Sequence, residues 1–350
     1  MLHRLHSGKR SWKNEEEHHY LYQGSISVSN KAVATGRTLR CILFDLGETL
    51  WTRIDKDSLH RLEEVANQRA IATLYEHISP ENLPNTNLTS IGHQLRRTVE
   101  AETRALGRQA PAGHEPDFAL ATQRALHALG ILEVDQEPCA ALFEALRVRI
   151  SESRVLFSDV LPTLAELKRR GFVLGVVTNR QYGGKLFLED LQTLGLLDYF
   201  APEHIAISAD LAIRKPNPAI FMNTLNALGV APEEAAMVGD NLDADVSGAQ
   251  QLNIFAIWKP KLTLRARAYT SHTLQRKGGN LVQASGDGER DHLASVTTQT
   301  TPVDHDYLLE YIHQHDIQYY QYFYHKPQPD LIIEHLSDLL TVFQKAGKQQ

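Results

Sequence analysis

The sequence predicts an α/β fold, in which a doubly wound parallel sheet carries an inserted all-helical unit. A short apolar run at 41–44 ends in an aspartate, as a buried strand of a parallel sheet can. From residue 159 to residue 258, apolar runs alternate with amphipathic segments, which is typical of strands and helices that alternate in one sheet. Between these regions, residues 58–153 show only helix-period spacing of apolar residues.

The chain of 350 residues is long enough for two or three domains. Its net charge of −6, without a concentrated basic face, argues against a nucleic-acid partner. The two cysteines, Cys41 and Cys139, lie in apolar contexts, so we expect a reduced, cytoplasmic protein without disulfide bonds. No secretory signal is recognisable at the start, and no apolar run approaches the roughly 18–20 residues of a membrane span. We therefore expect a soluble protein with no membrane partner; the sequence is silent on its oligomeric state.

The first predicted strand is the run at 41–44, which is long enough for a buried strand and too short for a helix. Four helices with one apolar side each are predicted after it, at 58–78, 87–106, 116–129 and 138–150. Prolines near helix starts and glycines near helix ends fit the usual asymmetry of helix termini. The short links between these helices predict a small bundle.

The alternating region predicts helices at 159–170, 186–194, 218–228 and 245–252, and strands at 172–177, 205–207, 235–238 and 254–258. A last strand at 330–333 and a helix at 336–343 need a sheet to join. We therefore interpret residues 261–327 as a polar insertion within the sheet domain, and leave open whether it is ordered throughout. Residues 1–36 have no sustained period and are expected to form a flexible N-terminal tail.

Three predicted strands end in polar residues, namely Asp45, Thr178 and Asp240. The carboxyl ends of parallel strands meet at one edge of a sheet, so these side chains and Lys215, from a nearby loop, are expected to gather there. Asp45 and Asp240 could hold Mg²⁺, which prefers carboxylate, water and phosphate oxygens. The Thr178 hydroxyl and the backbone N–H groups after each strand end could bind phosphate. These residue types predict phosphoryl transfer through an aspartate nucleophile.

Four motifs, in this order, resemble those of the haloacid dehalogenase (HAD) superfamily. They are Phe44-Asp45-Leu46-Gly47-Glu48-Thr49-Leu50; Val176-Val177-Thr178-Asn179; Arg214-Lys215-Pro216; and Val238-Gly239-Asp240-Asn241-Leu242-Asp243-Ala244-Asp245 followed by Gly248-Ala249. The resemblance covers about residues 38–260 and the closing strand and helix near 330–343. It implies a Rossmann-like α/β core at 37–54, 155–260 and 328–345. The helical segment at 55–154 is similar to the family's C1-type cap, an all-helical domain.

The resemblance also implies a role for each matching residue. Asp45 resembles the nucleophile of the family, whose carboxylate also binds Mg²⁺. Lys215 resembles the lysine that neutralises the nucleophile and the phosphate. Asp240 and Asp245 match the acidic positions that bind the metal, directly or through water. Asp243, between them, is expected to lie outside the metal's ligands.

The remaining matches concern the phosphate and a missing proton donor. Thr178 resembles the phosphate-binding hydroxyl, and we expect Asn179 and Gly47 to contact the phosphate as well. Phosphatases of this family usually carry a second aspartate two residues after the nucleophile, as general acid and base. Here that position is Gly47, which cannot transfer a proton. The nearest carboxylate is Glu48, which we interpret as a solvated turn residue.

Three interpretations of Gly47 remain open. The enzyme could hydrolyse phosphates with good leaving groups, or take a proton from the cap or from the substrate. It could be a slow phosphatase. It could also catalyse dehalogenation, for which the family likewise lacks this aspartate, although the aromatic residue usual in that motif of the dehalogenases is absent here.

Weaker candidates for substrate contact are Arg53 and His60, at the start of the helical segment, and Arg180, for which a surface position is equally compatible. Together, the residues and the resemblance predict a Mg²⁺-dependent hydrolase of the HAD type. The predicted activity is that of a phosphatase of a small phosphorylated metabolite, through an aspartyl-phosphate on Asp45. A dehalogenase-type C–X hydrolase is one alternative. A catalytically weak binding module with the HAD fold is another.

Overall fold

The structure is a computed structural model that describes residues 37–78, 88–131, 134–276, 308, 311–312 and 328–344. Residues Asn30–Arg265 and Gln321–Gln350 belong to one compact unit, and the sheet and the site lie in it. A second unit includes Ala266–Tyr320, of which the description covers the end of one helix and a few single positions. The predicted N-terminal tail and most of the predicted insertion fall outside the described residues.

Eight strands form in the described part of the chain. They are β1 Cys41–Phe44, β2 Trp51–Arg53, β3 Arg154–Leu156, β4 Val173–Thr178, β5 Ile205–Ile207, β6 Ala235–Gly239, β7 Phe255–Trp258 and β8 Leu331–Ile332. Six of them form one sheet in the order β5-β4-β1-β6-β7-β8, and every neighbouring pair in it is parallel. This parallel sheet with flanking helices confirms the predicted fold class.

The central strand β1 explains why the sheet needs cover on both faces. All four of its residues are completely buried, and the five residues of β6 are buried as well. Such continuous apolar strands are typical of parallel sheets that are packed on both sides. The chain runs outward from β1 to β4 and β5, then crosses to the other side for β6, β7 and β8. The strand order therefore reverses beside β1, and α/β sheets bind ligands outside the strand ends at such a point.

Twelve α-helices form in the described residues. They are α1 Lys56–His77, α2 Leu88–Gln109, α3 Phe118–Ala128, α4 Gln136–Ala145, α5 Ile150–Ser153, α6 Val160–Arg169, α7 Gly184–Thr193, α8 Ser208–Leu211, α9 Pro218–Leu228, α10 Gly248–Gln250, α11 Leu262–Arg276 and α12 Leu339–Val342. Short 3₁₀ segments lie at Leu196–Asp198, Pro202–His204, Pro232–Glu234 and Leu336–Asp338, and a π-helix at Leu242–Ser247. None of the described helices combines the length and apolar character that crossing a membrane requires.

Helices α1 to α4 form the helical bundle that the apolar spacing predicts. Asp55 and Asp117 begin α1 and α3, where their carboxylates accept hydrogen bonds from the N–H groups of Ser58 and Leu120. The interior of the bundle is apolar, and residues with no exposed surface in it are Ala70, Leu95, Ala125, Leu126, Ile131, Cys139 and Leu142. Burial of each large aliphatic side chain stabilises the bundle by about 1.5–3 kcal/mol.

A two-stranded antiparallel ribbon of β2 and β3 connects the bundle to the sheet, and the sequence does not predict it. Its register pairs Trp51 with Leu156 and Arg53 with Arg154. Strands of three residues are too short to show an alternating pattern, so their pairing depends on the chain returning from the bundle to the point where it left the sheet. The ribbon places both arginines beside the carboxyl edge of the sheet.

The predicted helix at 138–150 is in fact two helices, α4 and α5. The carbonyl oxygens at the end of α4 are bound by arginines from two other helices. Arg69 of α1 donates to Ala145 O and to Arg147 O, and Arg96 of α2 donates to Leu146 O. These tertiary donors satisfy the helix terminus and allow the chain to turn away there.

Two further elements differ from the prediction. Residues 262–276, where the sequence pattern is lost, form the helix α11. The predicted helix at 245–252 begins earlier, and its first part is the π-helix Leu242–Ser247. Asn241 caps that π-helix by accepting hydrogen bonds from the N–H groups of Asp243 and Ala244. Single-turn π-helices are frequent at functional sites.

Candidate active site

Three strand ends bring the predicted site residues to one edge of the sheet. Asp45 follows β1, Thr178 ends β4 and Asp240 follows β6, and these three strands are neighbours. Their side chains line a cavity of about 300 Å³. The other predicted residues that line the same cavity are Gly47, Asn179, Lys215 and Asp245. All seven residues that the motifs single out therefore lie together.

Lys215 is the centre of the charge network in this cavity. Its ammonium nitrogen lies 2.7 Å from Asp45 Oδ1 and 2.6 Å from Asp245 Oδ1, and it donates a hydrogen bond of 2.6 Å to Val177 O. The side chain is 2% exposed. Burial alone would lower the pKa of Lys215, but the two carboxylates outweigh it and raise that pKa. Lys215 is therefore a cation at neutral pH, fixed between Asp45 and Asp245.

Asp245 is held against the backbone at the end of β6. Its Oδ2 accepts a hydrogen bond of 2.9 Å from Asn241 N, and the residue is 1% exposed. A Cβ atom at Gly239 would lie 2.3 Å from the Asp245 carboxyl carbon, so only glycine allows this approach. The Gly-Asp sequence at the end of this strand therefore positions two acids. Gly239 leaves space for the Asp245 side chain, and Asp240 is the residue that follows Gly239.

Burial and nearby negative charges raise the pKa values of two acids of the site, Asp240 and Asp245. Burial, followed by the nearby charges of Asp45 and Asp245, raises the pKa of Asp240 from 3.8 to about 8. Burial is also the largest cause for Asp245, whose pKa is raised to about 6 although Lys215 opposes the shift. Lys261 lies 3.4 Å from Asp240 Oδ2 and provides part of the compensating charge.

Asp45, Asp240 and Asp245 form a group that could hold a metal ion. One carboxylate oxygen from each lies within 4.8 Å of the others. The three buried acids have two lysines beside them, since Lys215 pairs with Asp45 and Asp245 and Lys261 lies near Asp240. When all three acids are ionised, they carry an excess of negative charge that a divalent cation would neutralise. Oxygen ligands of this kind suit hard cations such as Mg²⁺. The donor set therefore fits the metal that the sequence predicts.

Asn179 binds the backbone of the residue that supplies the lysine. Its Oδ1 accepts from Lys215 N at 2.8 Å, and its Nδ2 donates to Lys215 O at 3.1 Å. Both halves of the side-chain amide are thus engaged with Lys215. The side chain positions the lysine, and a contact between Asn179 and phosphate stays a prediction.

Glu48, in the turn after β1, is only partly exposed. Glu48 has a left-handed backbone with φ of 56°, and its carboxylate accepts a hydrogen bond from Thr52 Oγ1 at 3.2 Å. The residue lies in the turn as expected, is partly buried and lines the cavity. The Glu48 carbonyl oxygen also accepts a hydrogen bond of 3.3 Å from Lys259 Nζ. Lys259 is a buried lysine that the motifs do not indicate.

Arginines line the same cavity as the acids. Arg53 and Arg180, which are weak candidates from the sequence, both line it. Arg154 lines it as well and was not predicted, because only its place opposite Arg53 in the ribbon brings it there. His60 does not line the cavity; its exposed ring lies within 4.0 Å of Glu63 and Glu64.

A second cavity, of about 470 Å³, adjoins the same loops. Residues of α2 line one side of it, and Asn179, Arg180 and Arg214 line both cavities. Arg214 has a carboxylate partner there, since its Nη1 lies 3.4 Å from Glu115 Oε2. Asn179, Arg180 and Arg214 thus lie between the cavity that contains the acids and the cavity beside α2.

This fold and this site define a class of protein, namely hydrolases that carry a carboxylate-rich site on a parallel sheet. More specifically, the chain belongs to the haloacid dehalogenase-like hydrolases, because the model of that family matches residues 39–253. The match confirms the family resemblance of the four motifs.

Relatives over most of the matched region are phosphatases by name. The chain is 29% identical over 227 residues to a glyceraldehyde 3-phosphate phosphatase of Methanopyrus kandleri, an alignment that covers 63% of this chain and 83% of that protein. It is 28% identical over 228 residues to one of Pyrococcus furiosus, covering 63% and 81%. A phosphoserine phosphatase of Thermus thermophilus is 43% identical over 103 residues, which are 29% of this chain and 40% of that protein.

Proposed function

We propose that this protein is a Mg²⁺-dependent phosphatase of small phosphorylated metabolites and that Asp45 is its nucleophile. The observation that carries the proposal is the position of Asp45. Its carboxylate stands at the end of the central strand, lies 2.7 Å from the buried ammonium group of Lys215, and belongs to a group of three acids that suits a divalent cation. The relatives named above support the same reaction class.

The two oxygens of Asp45 have different surroundings, which suits a nucleophile. Oδ1 is paired with Lys215, whereas Oδ2 has only a long contact of 3.5 Å from Thr49 Oγ1. Oδ2 is therefore the oxygen with more freedom to attack. The Lys215 ammonium group pairs with Oδ1 and would also attract the phosphate dianion.

The reaction has two steps, both at phosphorus. Asp45 Oδ2 forms a bond to phosphorus while the ester oxygen leaves with the bonding electron pair, which gives an aspartyl-phosphate and an alkoxide that takes up a proton. Water then attacks phosphorus, loses a proton and releases Asp45 and inorganic phosphate. Thr178 would donate its hydroxyl to a phosphoryl oxygen. Mg²⁺, when bound by Asp45, Asp240 and Asp245, would supply positive charge to the phosphoryl oxygens.

The proton for the leaving oxygen does not come from the position used by most phosphatases of the family. That position is Gly47, so the proton would come from water, from the substrate, from a side chain of the bundle or from Glu48, which lines the cavity. General acid catalysis typically contributes about 10²–10⁴-fold. We therefore expect substrates with poor leaving groups to react slowly and activated esters to react well.

The helical bundle at 55–154 acts as a cap in this proposal. Residues of α2 and of the β2–β3 ribbon line the cavities next to the acidic group, so substrates would be selected from that side. Closure of such an element excludes water during reaction. The core segments 37–54, 155–260 and 328–345 would supply the chemistry, in a cytoplasmic enzyme.

Hydrolysis of p-nitrophenyl phosphate with and without Mg²⁺ tests the proposal. We expect turnover that needs the metal, disappears in Asp45→Asn and falls by at least about 10²-fold in Asp245→Asn. Asp243→Asn is the matched control, because Asp243 lies in the same motif but is exposed and outside the metal-binding group. Its turnover should stay near that of the wild type.

Other outcomes would replace the proposal. Turnover that persists in Asp45→Asn would exclude Asp45 as the nucleophile. Halide release from a 2-haloacid, without phosphatase activity, would favour the dehalogenase. Absence of both activities would favour the binding module. A panel that contains glyceraldehyde 3-phosphate, phosphoserine and phosphoglycolate, assayed by phosphate release, would then narrow the substrate.

A further inference from the structure

Three arginines form a cluster in the main cavity, and the proposed reaction at Asp45 does not use them. We call Arg53, Arg154 and Arg180 the arginine cluster. The first two face each other across the β2–β3 ribbon, and the third follows β4 two residues after Thr178. All three line the cavity that contains Asp45.

None of the three has a carboxylate within ion-pair distance among the described residues. Arg154 donates one hydrogen bond of 2.7 Å, to Ser153 O. The Arg180 guanidinium lies 5.8 Å from the ring centres of both Trp51 and Phe187, which hold it by cation–π contacts. Most N–H donors of the cluster are therefore available to a ligand in the cavity.

The arrangement is unfavourable without a ligand. Like charges directly opposite each other in a two-stranded ribbon are destabilising, and Arg53 and Arg154 are such a pair. Burial, together with the charges of Arg180 and Arg53, lowers the pKa of Arg154 to about 10. Burial is the largest cause for Arg180 too, whose pKa is lowered to about 10 although the charge of Asp45 opposes the shift; Arg53 is among the groups that lower it. Arg53 thus repels both Arg154 and Arg180, and Arg180 repels Arg154.

The charges around the cavity do not balance once the phosphate is bound. Its lining contains six side chains that are cationic at neutral pH and four carboxylates. Arg214 is paired with Glu115, outside this cavity, which leaves five cations against four carboxylates. A divalent metal ion and a phosphate dianion would cancel each other. One positive charge then remains, and the unpaired side chains are those of the arginine cluster.

We propose that the arginine cluster binds a carboxylate of the substrate, so that the preferred substrates are small phosphate esters that carry a carboxylate group. Guanidinium groups bind carboxylates by paired N–H···O hydrogen bonds, and one carboxylate matches the remaining charge. The phosphate would lie against Asp45 and Lys215 while the carboxylate lies between the ribbon and Arg180. This inference rests on the proposed phosphatase function, since it concerns the same cavity.

The test compares two esters that differ only in the carboxylate. 3-Phosphoglycerate and glycerol 3-phosphate share the scissile group and the neighbouring hydroxyl, but the second has an alcohol in place of the acid. We expect kcat/KM to favour 3-phosphoglycerate by roughly 10- to 100-fold, the size of a charge-assisted hydrogen bond pair. Arg53→Gln and Arg154→Gln should each remove most of that preference, whereas Arg124→Gln, an exposed position on α3, should not.

A stability measurement separates binding from a merely structural role. Removing one arginine of the opposed pair relieves repulsion, so Arg53→Gln and Arg154→Gln without ligand should unfold at the same temperature as the wild type or above it. Lost preference with retained stability is the expected signature. Loss of preference that accompanies a clear fall in Tm would overturn the assignment of a binding role.

Binding to the Asp45→Asn variant distinguishes failure of this inference from failure of the proposed function. If no ester, including p-nitrophenyl phosphate, releases phosphate, calorimetric titration of Asp45→Asn with the two esters in Mg²⁺ still decides. Tighter binding of 3-phosphoglycerate that depends on Arg154 would uphold the carboxylate site in the absence of phosphatase activity. Equal affinity, or equal kcat/KM in an active enzyme, would overturn it.

Discussion

Gly47→Asp would place a carboxyl group where this chain lacks a proton donor. An ideal Cβ at Gly47 has only one neighbour within 4 Å, Asp45 Oδ2 at 3.9 Å, and the backbone there is not left-handed. The substitution therefore requires neither a shift of neighbours nor backbone strain. Position 47 lines the cavity, so the new side chain can face the leaving group.

The size of the gain follows from the chemistry of the leaving group. A positioned general acid contributes about 10²–10⁴-fold, and the lower end applies to an acid that was not selected for this geometry. The adjacent Asp45 carboxylate raises the pKa of a new acid beside it, which favours the protonated form that can donate. We expect kcat on an alkyl phosphate to rise by about 10²-fold. With p-nitrophenyl phosphate, whose leaving group needs no proton, the change should be within about threefold.

Phosphate release from glycerol 3-phosphate and p-nitrophenyl phosphate by the wild type, Gly47→Asp and Gly47→Asn measures this effect. Asn has nearly the same shape as Asp but cannot donate a carboxyl proton. The ratio of kcat on the two substrates should therefore rise only in Gly47→Asp. An equal rise in Gly47→Asn, or an unchanged ratio in Gly47→Asp, would refute the idea that a missing proton donor limits this enzyme.

Three more predictions follow from individual contacts. Asn179→Ala removes both hydrogen bonds to the Lys215 backbone, so kcat on p-nitrophenyl phosphate should fall by roughly 10- to 100-fold. The kcat of Asn179→Asp, which keeps the accepting oxygen, should lie between those of Asn179→Ala and the wild type. A wild-type kcat in Asn179→Ala would contradict the positioning role. In metal-free protein the pKa of Asp240 is raised from 3.8 to about 8, so the protonated carboxyl group favours the folded state. This stabilisation is complete below the pKa of the unfolded state and is lost as the pH rises through the pKa of the folded state. Urea unfolding in a chelator should therefore show stability falling between about pH 5 and pH 8, with Mg²⁺ restoring it; the same fall in Asp240→Asn would assign it to other groups. Asp190 is buried and accepts hydrogen bonds from Arg149, Ile150 N and Ser151 Oγ at 2.6–2.9 Å. Asp190→Ala should therefore lower the free energy of unfolding by about 3 kcal/mol, whereas Glu189→Ala, at the half-exposed neighbouring position, should lower it by at most about 0.5 kcal/mol. Equal losses in the two variants would show that the buried hydrogen bonds of Asp190 do not stabilise the fold.

The sheet and the acidic group could be predicted because their signals are local. A run of apolar residues that ends in a carboxylate marks a buried strand and its chemical end at once, as at Cys41–Phe44 and Asp45. The parallel order then follows from the alternation of strands and helices. Lys215 was identified in the same way, from a short motif that keeps its position ahead of α9.

The helical bundle was predictable in number and in approximate bounds, but not at its last helix. The break between α4 and α5 depends on Arg69 and Arg96, which reach the carbonyl groups from helices far away in the chain. Apolar spacing carries no information about such donors, because they lie on other elements.

The sequence by itself determined the parallel sheet and which residues meet at its carboxyl edge. Tertiary structure alone decided how the cavity continues beyond them. Arg53 and Arg154 lie opposite each other although the whole helical bundle separates them in the sequence, and the two strands that pair them are only three residues long. The engagement of Asn179 with Lys215 likewise joins loops 36 positions apart. Motifs record what one stretch of chain needs for its chemistry, whereas charge pairs and loop contacts depend on which distant stretches the fold brings together.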